Sequence, residues 1–125
     1  MYEISVRQEF DAAHLLRGYK GKCEMLHGHR FQVVANLRTD RLNDIGLAYD
    51  FVALKHHMKA IMDKLDHHNL NEVKPFDKIN PSSENIASTV YKALQKRLKD
   101  TGVSLHSIQV WESPECCVTY RPDKL

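Results

Sequence analysis

The spacing of apolar residues changes twice along the chain, and this restricts the fold more than any other feature of the sequence. Residues 2–10 and 29–39 alternate apolar and polar side chains, as a strand does when one of its faces is buried. Residues 51–65 and 86–98 instead place apolar side chains every three or four positions, as an amphipathic helix does. Residues 105–112 and 116–121 return to the strand pattern. The predicted order of elements is therefore ββααββ.

Local signals mark the ends of the two predicted helices. Asp50 can cap the first helix, which we expect to end near Asp66. Ser82 or Ser83 can cap the second helix, and Gly102 lies just beyond its end. A loop over residues 15–26 joins the first two strands and a short turn joins the last two, and direct connection of consecutive strands favours antiparallel pairing. We therefore expect an α+β domain over residues 1–125, with a four-stranded antiparallel sheet and both helices on one face.

A two-layer domain of this kind leaves the second face of its sheet uncovered. If Val33 and Val110 face the helices, Val34 and Trp111 point to the uncovered face. Apolar side chains there would have to be buried against another subunit. The pattern thus predicts a homo-oligomer without setting the number of subunits.

Composition excludes several classes of protein. The 18 basic and 16 acidic residues give a net charge of +2, which is too balanced for binding nucleic acid by charge alone. The longest apolar runs span only a few residues, so we expect no membrane span, and residues 1–5 do not begin a secretory signal. Two of the three cysteines are adjacent, which is a poor basis for disulfides. A reduced, cytoplasmic protein is the prediction.

Eight histidines are many for a chain of this length, and several are clustered. His27 and His29 lie where a loop becomes a predicted strand, and since residues two apart in an extended chain share a face, both side chains can reach one metal ion. His14 lies at the end of the neighbouring strand. Three converging imidazoles suit zinc with a fourth position open for water or substrate. The alternative is a turn that carries two surface histidines.

Three further positions could carry chemistry. Cys23, close to His27 and in a basic loop, could be a thiolate base or nucleophile, or an ordinary loop cysteine. Asp66 beside His67 could form an acid/base pair, or the histidine could simply interact with a helix C-terminus. Glu112, at a strand end, could accept two parallel hydrogen bonds from a guanidine-like ring edge, or be an exposed turn acid.

Taken together, these pieces resemble the 6-pyruvoyl tetrahydropterin synthase family, which includes 6-carboxytetrahydropterin synthase of the queuosine pathway. The matching segments occur in the order of the family and cover nearly the whole chain. They are Phe10-Asp11-Ala12-Ala13-His14, Cys23-Glu24-Met25-Leu26-His27-Gly28-His29, Leu65-Asp66-His67-His68-Asn69-Leu70-Asn71, Pro81-Ser82-Ser83-Glu84-Asn85 and the strand end at Glu112.

The resemblance implies the tunnelling fold, in which ββααββ subunits form a trimeric twelve-stranded barrel and two trimers stack into a hexamer. It also implies roles for the residues at the matching positions. Zinc would be bound by His14, His27 and His29, and Cys23 would remove a proton from the substrate side chain. The acid/base pair Asp66 and His67 would come from a neighbouring subunit. Glu112 would anchor the pterin ring, with Ser83 and Glu24 also contacting substrate.

The activity implied is conversion of 7,8-dihydroneopterin triphosphate to 6-carboxy-5,6,7,8-tetrahydropterin, with loss of triphosphate and acetaldehyde. Arg17, Lys20 and Lys22 are candidates for binding the triphosphate, or are solvated loop charges. Because Glu24 follows Cys23 directly, cleavage to 6-hydroxymethyl-7,8-dihydropterin for folate synthesis is an alternative. A 6-pyruvoyl tetrahydropterin synthase and a non-catalytic module that binds zinc or pterin are the others.

Overall fold

The computed structural model describes residues 1–21 and 24–122. It is an α+β fold in which a five-stranded sheet of order β3-β1-β2-β4-β5 packs against two helices. The elements are β1 (Tyr2–His14), β2 (His27–Thr39), α1 (Phe51–Met62), β3 (His68–Asn69), α2 (Ser83–Arg97), β4 (Ser104–Ser113) and β5 (Cys116–Tyr120). A short 3₁₀ helix, Leu70–Glu72, follows β3. The four long strands and both helices have the predicted order ββααββ.

The prediction of a four-stranded, wholly antiparallel sheet was wrong in one respect. The fifth strand, β3, is parallel to β1, with Ala12 paired to His68 and Ala13 paired to Asn69. The other pairings are antiparallel, as predicted. A strand of two residues has no alternation that a sequence pattern could reveal.

Strands β1 and β2 extend further than their patterns predict, to His14 and from His27. Their register runs without a break from Tyr2 opposite Thr39 to His14 opposite His27. The extension passes through Ala12 and Ala13, and alanine has little intrinsic preference for strands. Pairing with β2 therefore decides the conformation here, and it places the histidines at one end of the hairpin.

The two helices begin where the capping signals predict. The Asp50 side chain accepts a hydrogen bond from the N–H of Val52 (2.8 Å), and Ser82, not Ser83, accepts one from the N–H of Asn85 (3.1 Å). Helix α1 ends at Met62 and continues as turns to Asp66, whose N–H donates to the Met62 carbonyl (2.8 Å). None of the described helices is long and apolar enough to cross a membrane.

The core lies between the helices and one face of the sheet, and it includes Val33 and Val110 as predicted. The opposite face is more polar than expected. Ser5, Asn36 and Ser107 form a hydrogen-bonded row across β1, β2 and β4. Ion pairs flank this row, Arg38 with Glu3 (2.6 Å) and Arg30 with Asp11 (3.1 Å). Val34 and Trp111 are therefore apolar exceptions on a polar face, and this face alone does not require burial against a partner.

Candidate active site

Three histidines meet where β1 ends and β2 begins. His14 lies directly opposite His27, and His29 lies opposite Ala12 on the same face. The ring centroids of His14 and His27 are 4.7 Å apart, those of His27 and His29 are also 4.7 Å apart, and those of His14 and His29 are 5.3 Å apart. The structure thus brings the three predicted ligands together. The β-hairpin register does this, since residues two apart on one strand share a face.

The fourth member of this group is Glu112, at the end of β4. Its Oε1 lies 3.0 Å from Nε2 of His14 and 3.4 Å from Nε2 of His29. One ligand atom from each of the four residues lies within 4.8 Å of the others. Glu112 therefore lies beside the imidazoles, whereas the sequence analysis assigned it to the pterin ring.

Main-chain carbonyls fix which ring nitrogens carry protons. Nδ1 of His14 lies 2.6 Å from the Pro81 carbonyl oxygen, and Nδ1 of His27 lies 2.7 Å from that of Met25. Because a carbonyl oxygen only accepts, each Nδ1 carries the hydrogen, and Nε2 of the neutral ring is left with a lone pair. Such an outer hydrogen bond is the usual partner of a metal-binding histidine.

The His14 side chain is the clearest indication that this group can bind a metal ion. It is 1% exposed, and its Nε2 has no hydrogen-bond partner among residues 1–21 and 24–122. The nearby Glu112 oxygen does not satisfy it, because a carboxylate oxygen and an unprotonated ring nitrogen are both acceptors. Two acceptors 3.0 Å apart repel each other unless a proton or a metal ion lies between them. Three imidazole nitrogens and one carboxylate suit a divalent transition metal such as zinc.

The electrostatics of His29 agree with a ligand role. Burial lowers the pKa of His29 below its ordinary value; neighbouring His27 and His14 lower it further, and Glu112 opposes them. The neutral imidazole that a metal requires is therefore favoured. Beneath the group, the fully buried Phe31 ring contacts His14 and His29 at centroid distances of 5.3 and 5.6 Å. The group of imidazole rings thus packs directly on the hydrophobic core.

Asp66 and His67 form a second group, joined to β1 at Asp11. Oδ2 of Asp66 lies 2.9 Å from Nδ1 of His67, and Oδ1 accepts the N–H of Asp11 (2.8 Å). The N–H of His67 donates to the Asp11 carbonyl (2.6 Å), and His67 has a φ of 59°. The Asp11 N–H, and then His67, hold the pKa of Asp66 below its usual range. A carboxylate thus orients an exposed imidazole, as a proton-transfer pair requires.

The remaining described residues that were predicted to act in catalysis or substrate binding do not belong to either of these groups. Cys23 and Lys22 lie outside the described residues. Glu24 is exposed, and Ser83 is half-buried in the first turn of α2. The Arg17 side chain is bound within the chain: its guanidinium donates to the carbonyl oxygens of Phe76 (2.7 Å) and Asn71 (3.4 Å). Its place as a triphosphate candidate is therefore weakened.

Sequence reasoning missed the main-chain groups that hold these side chains. The carbonyl of Pro81 fixes His14, and the N–H and carbonyl of Asp11 fix the Asp66–His67 pair. Both residues lie in segments that carried the family resemblance. Their side chains gave no chemical signal, because the hydrogen bonds are made by their peptide groups.

The fold and the four-residue group define an α+β protein with a site suited to a divalent metal. The family model for 6-pyruvoyl tetrahydropterin synthase matches residues 3–123. The chain belongs to this family.

Named relatives agree with that assignment. A 6-carboxy-5,6,7,8-tetrahydropterin synthase from Synechocystis sp. is 34% identical over 131 aligned residues, covering 100% of this chain and 97% of that protein. A dihydroneopterin monophosphate aldolase from Pyrococcus furiosus is 33% identical, covering 90% of each. The solved structure of Caenorhabditis elegans 6-pyruvoyl tetrahydropterin synthase superimposes with a TM-score of 0.88 at 27% identity, covering 98% of this chain and 96% of that one. Two of these three relatives are thus named as pterin synthases and the third as a pterin aldolase.

Proposed function

We propose that this protein is a zinc-dependent enzyme that converts 7,8-dihydroneopterin triphosphate and water to 6-carboxy-5,6,7,8-tetrahydropterin, with loss of triphosphate and acetaldehyde, in queuosine biosynthesis. The observation that carries the proposal is the buried Nε2 of His14, which lacks a hydrogen-bond partner among the described residues and faces the Glu112 carboxylate. The family and the name of the Synechocystis relative support the choice of substrate and product.

Zinc would be held by His14, His27 and His29, with Glu112 beside it. When bound, the metal supplies a Lewis acid that lowers the pKa of substrate hydroxyl groups. The hydrogen bonds from His14 to Pro81 and from His27 to Met25 orient the two rings before the metal arrives.

The chain's own residues would move the protons. Cys23 would take the carbon-bound proton of the substrate side chain as a thiolate. His67 would return protons from Nε2, since its Nδ1 is engaged by Asp66. Glu112 would either hold the pterin ring, as the resemblance implies, or complete the metal site, as its 3.0 Å distance from His14 favours.

The active site would lie between subunits of a homo-oligomer, a trimer or a hexamer, in the cytoplasm. Within one chain the Asp66–His67 pair and the four-residue metal group are separate clusters, joined to β1 at Asp11 and His14. The family resemblance implies that the active site draws these two clusters from neighbouring subunits. Mixing inactive His27→Ala and Asp66→Asn proteins under subunit exchange should restore activity. A mixture that stays inactive while light scattering shows mixed oligomers would contradict a shared site.

The test of the reaction is turnover of 7,8-dihydroneopterin triphosphate by the zinc-loaded protein, with products identified by mass. Formation of 6-carboxy-5,6,7,8-tetrahydropterin and acetaldehyde is the expected result. A 6-pyruvoyl product would assign the protein to the biopterin branch. No product from a fully metallated protein would indicate a module that only binds zinc or pterin, and the proposal would fail.

Side-chain cleavage to 6-hydroxymethyl-7,8-dihydropterin is a second candidate, favoured by one specific observation. Glu24, an exposed carboxylate, directly follows Cys23, and a relative of similar identity is named as a dihydroneopterin monophosphate aldolase. If Glu24 contributes a second base, Glu24→Gln should remove the hydroxymethyl product and leave the carboxy product. Glu115→Gln, an exposed turn glutamate, is the matched control. Equal loss of both products would exclude a separate role for Glu24.

A further inference from the structure

Two asparagine side chains bind the main chain that follows His14. Oδ1 of Asn71 accepts the N–H of Leu15 (2.9 Å), and its Nδ2 donates to the Leu15 carbonyl (3.1 Å). Asn80 does the same for Arg17, accepting its N–H (2.9 Å) and donating to its carbonyl (2.9 Å). Each amide group thus offers one acceptor and one donor to one residue, as a neighbouring strand would. We call this pair of asparagines the amide clamp.

The amide clamp acts where backbone pairing on this edge of β1 stops. β3 pairs with β1 only at Ala12 and Ala13. The clamp holds residues 15 and 17, on the far side of His14, so the edge contacts continue past the ligand. Without such contacts the end of a strand frays, because its last peptide groups exchange hydrogen bonds with water.

The amide clamp is also tied to the hydrogen bond that orients His14. Pro81, whose carbonyl accepts from Nδ1 of His14, is the residue after Asn80. The Asn80 carbonyl in turn accepts the side-chain N–H of Asn85 (2.8 Å), in the first turn of α2. Both partners of this hydrogen bond are therefore held in place. The chain after His14 is held at Arg17 by the Asn80 side chain, and Pro81 is held by the contact between the Asn80 carbonyl and α2.

We propose that Asn71 and Asn80 are positioning residues of the metal site. They fix the backbone that follows His14 and, through Asn80, the Pro81 carbonyl that orients its ring, so that Nε2 faces His29 and Glu112. The inference rests on the proposed function, because it assumes that His14 binds metal. Neither clamp residue belongs to the four-residue metal group. Their effect reaches the ligand through the main chain, and His27 and His29 on β2 are outside it.

The change that isolates the amide clamp is asparagine to aspartate. Asn71→Asp and Asn80→Asp keep the size and the acceptor, remove the donor, and place a carboxylate oxygen against a carbonyl oxygen. Asn43 is the matched control, since its Oδ1 accepts the N–H groups of Ile45 and Leu47 (both 3.0 Å). Asn43→Asp keeps both of those hydrogen bonds, so any effect of the added charge alone will show there.

The measurement is Co²⁺ binding to the metal-free full chain, read from the visible d–d absorption and from competition with a chelator. We expect Asn71→Asp and Asn80→Asp to bind Co²⁺ on the order of 10–100-fold more weakly, the usual cost of disturbing an outer hydrogen bond of a ligand, with altered d–d bands. Asn43→Asp should match the wild type. Circular dichroism checks that each variant is folded.

Folded clamp variants with the affinity and spectrum of the wild type would overturn the inference and leave the proposed function intact. A wild type that does not bind Co²⁺ would overturn the proposed metal site, and the inference with it. Should the variants not fold, the wild type provides the test, because coupling is reciprocal. Zinc binding should slow amide hydrogen exchange at Leu15 and Arg17 and leave Ile45 and Leu47 unchanged. Equal exchange rates with and without zinc would also refute the inference.

Discussion

Replacing Glu112 with glutamine separates the two roles open to this residue. The change keeps the size of the side chain and removes one negative charge from the group of three histidines. Ligand atoms of the four residues lie within 4.8 Å of one another, so an ion held among them is closer than that to the carboxylate. If Glu112 completes the metal site, the loss of its charge weakens metal binding directly.

The size of the effect follows from Coulomb's law. Two unit charges 4 Å apart interact by about 4 kcal/mol at the effective dielectric constant of 20 that describes sites near a protein surface, so a divalent ion and a carboxylate interact by about 8 kcal/mol. The Glu112 side chain is 31% exposed, and solvent screening together with the cost of desolvating the carboxylate reduces this to roughly 2 kcal/mol. Since 1.36 kcal/mol corresponds to a factor of ten, we expect Glu112→Gln to bind zinc about 30-fold more weakly.

A chromophoric chelator that competes for zinc at neutral pH measures this change. Glu115→Gln is the control, because Glu115 is an exposed glutamate in the turn between β4 and β5 and lies outside the metal group. The reasoning is refuted if Glu112→Gln keeps the zinc affinity of the wild type and instead raises the KM for substrate. That result would mean that Glu112 holds the pterin ring.

Four further changes test other parts of the site. Cys23→Ala should abolish turnover with bound zinc unchanged by elemental analysis, and full activity would exclude the thiolate base. His27→Ala should lose stoichiometric zinc in the same analysis; retention would remove it from the ligand set. Asp66→Asn should lower Tm at neutral pH, because the hydrogen bonds that lower the pKa of Asp66 stabilise only its ionised form. The difference from wild type should vanish as pH falls below about 4 and the carboxyl group becomes protonated. A difference that does not depend on pH would contradict this. Phe31→Ala, at a fully buried ring, should cost about 3–5 kcal/mol in urea unfolding, and a loss under 1 kcal/mol would be inconsistent with its packing.

The elements that could be predicted from the sequence are those long enough to show a repeating spacing of apolar residues. Apolar spacing gave both helices and the four long strands, and the two-residue separation of His27 and His29 predicted their convergence with His14. It did not predict β3, because two residues define no period.

Contacts between distant segments left no comparable signal. Glu112 reaches the histidines because β4 pairs with β2, with Trp111 opposite Gln32, a register that neither strand shows alone. The expectation of an apolar outer face rested on Val34 and Trp111. The polar row beside them becomes visible only when β1, β2 and β4 are aligned.

The pairing of His14 with His27 also bears on how the chain folds. These residues are opposite each other at the end of the β1–β2 hairpin where the chain connects the two strands, and the long connection over residues 15–26 does not by itself fix their alignment. A slip of one residue would turn one strand's histidines to the other face. A metal bound by both strands, as proposed, would therefore crosslink the hairpin in a single register, much as a disulfide closes a loop, and would select the correctly aligned strands during folding.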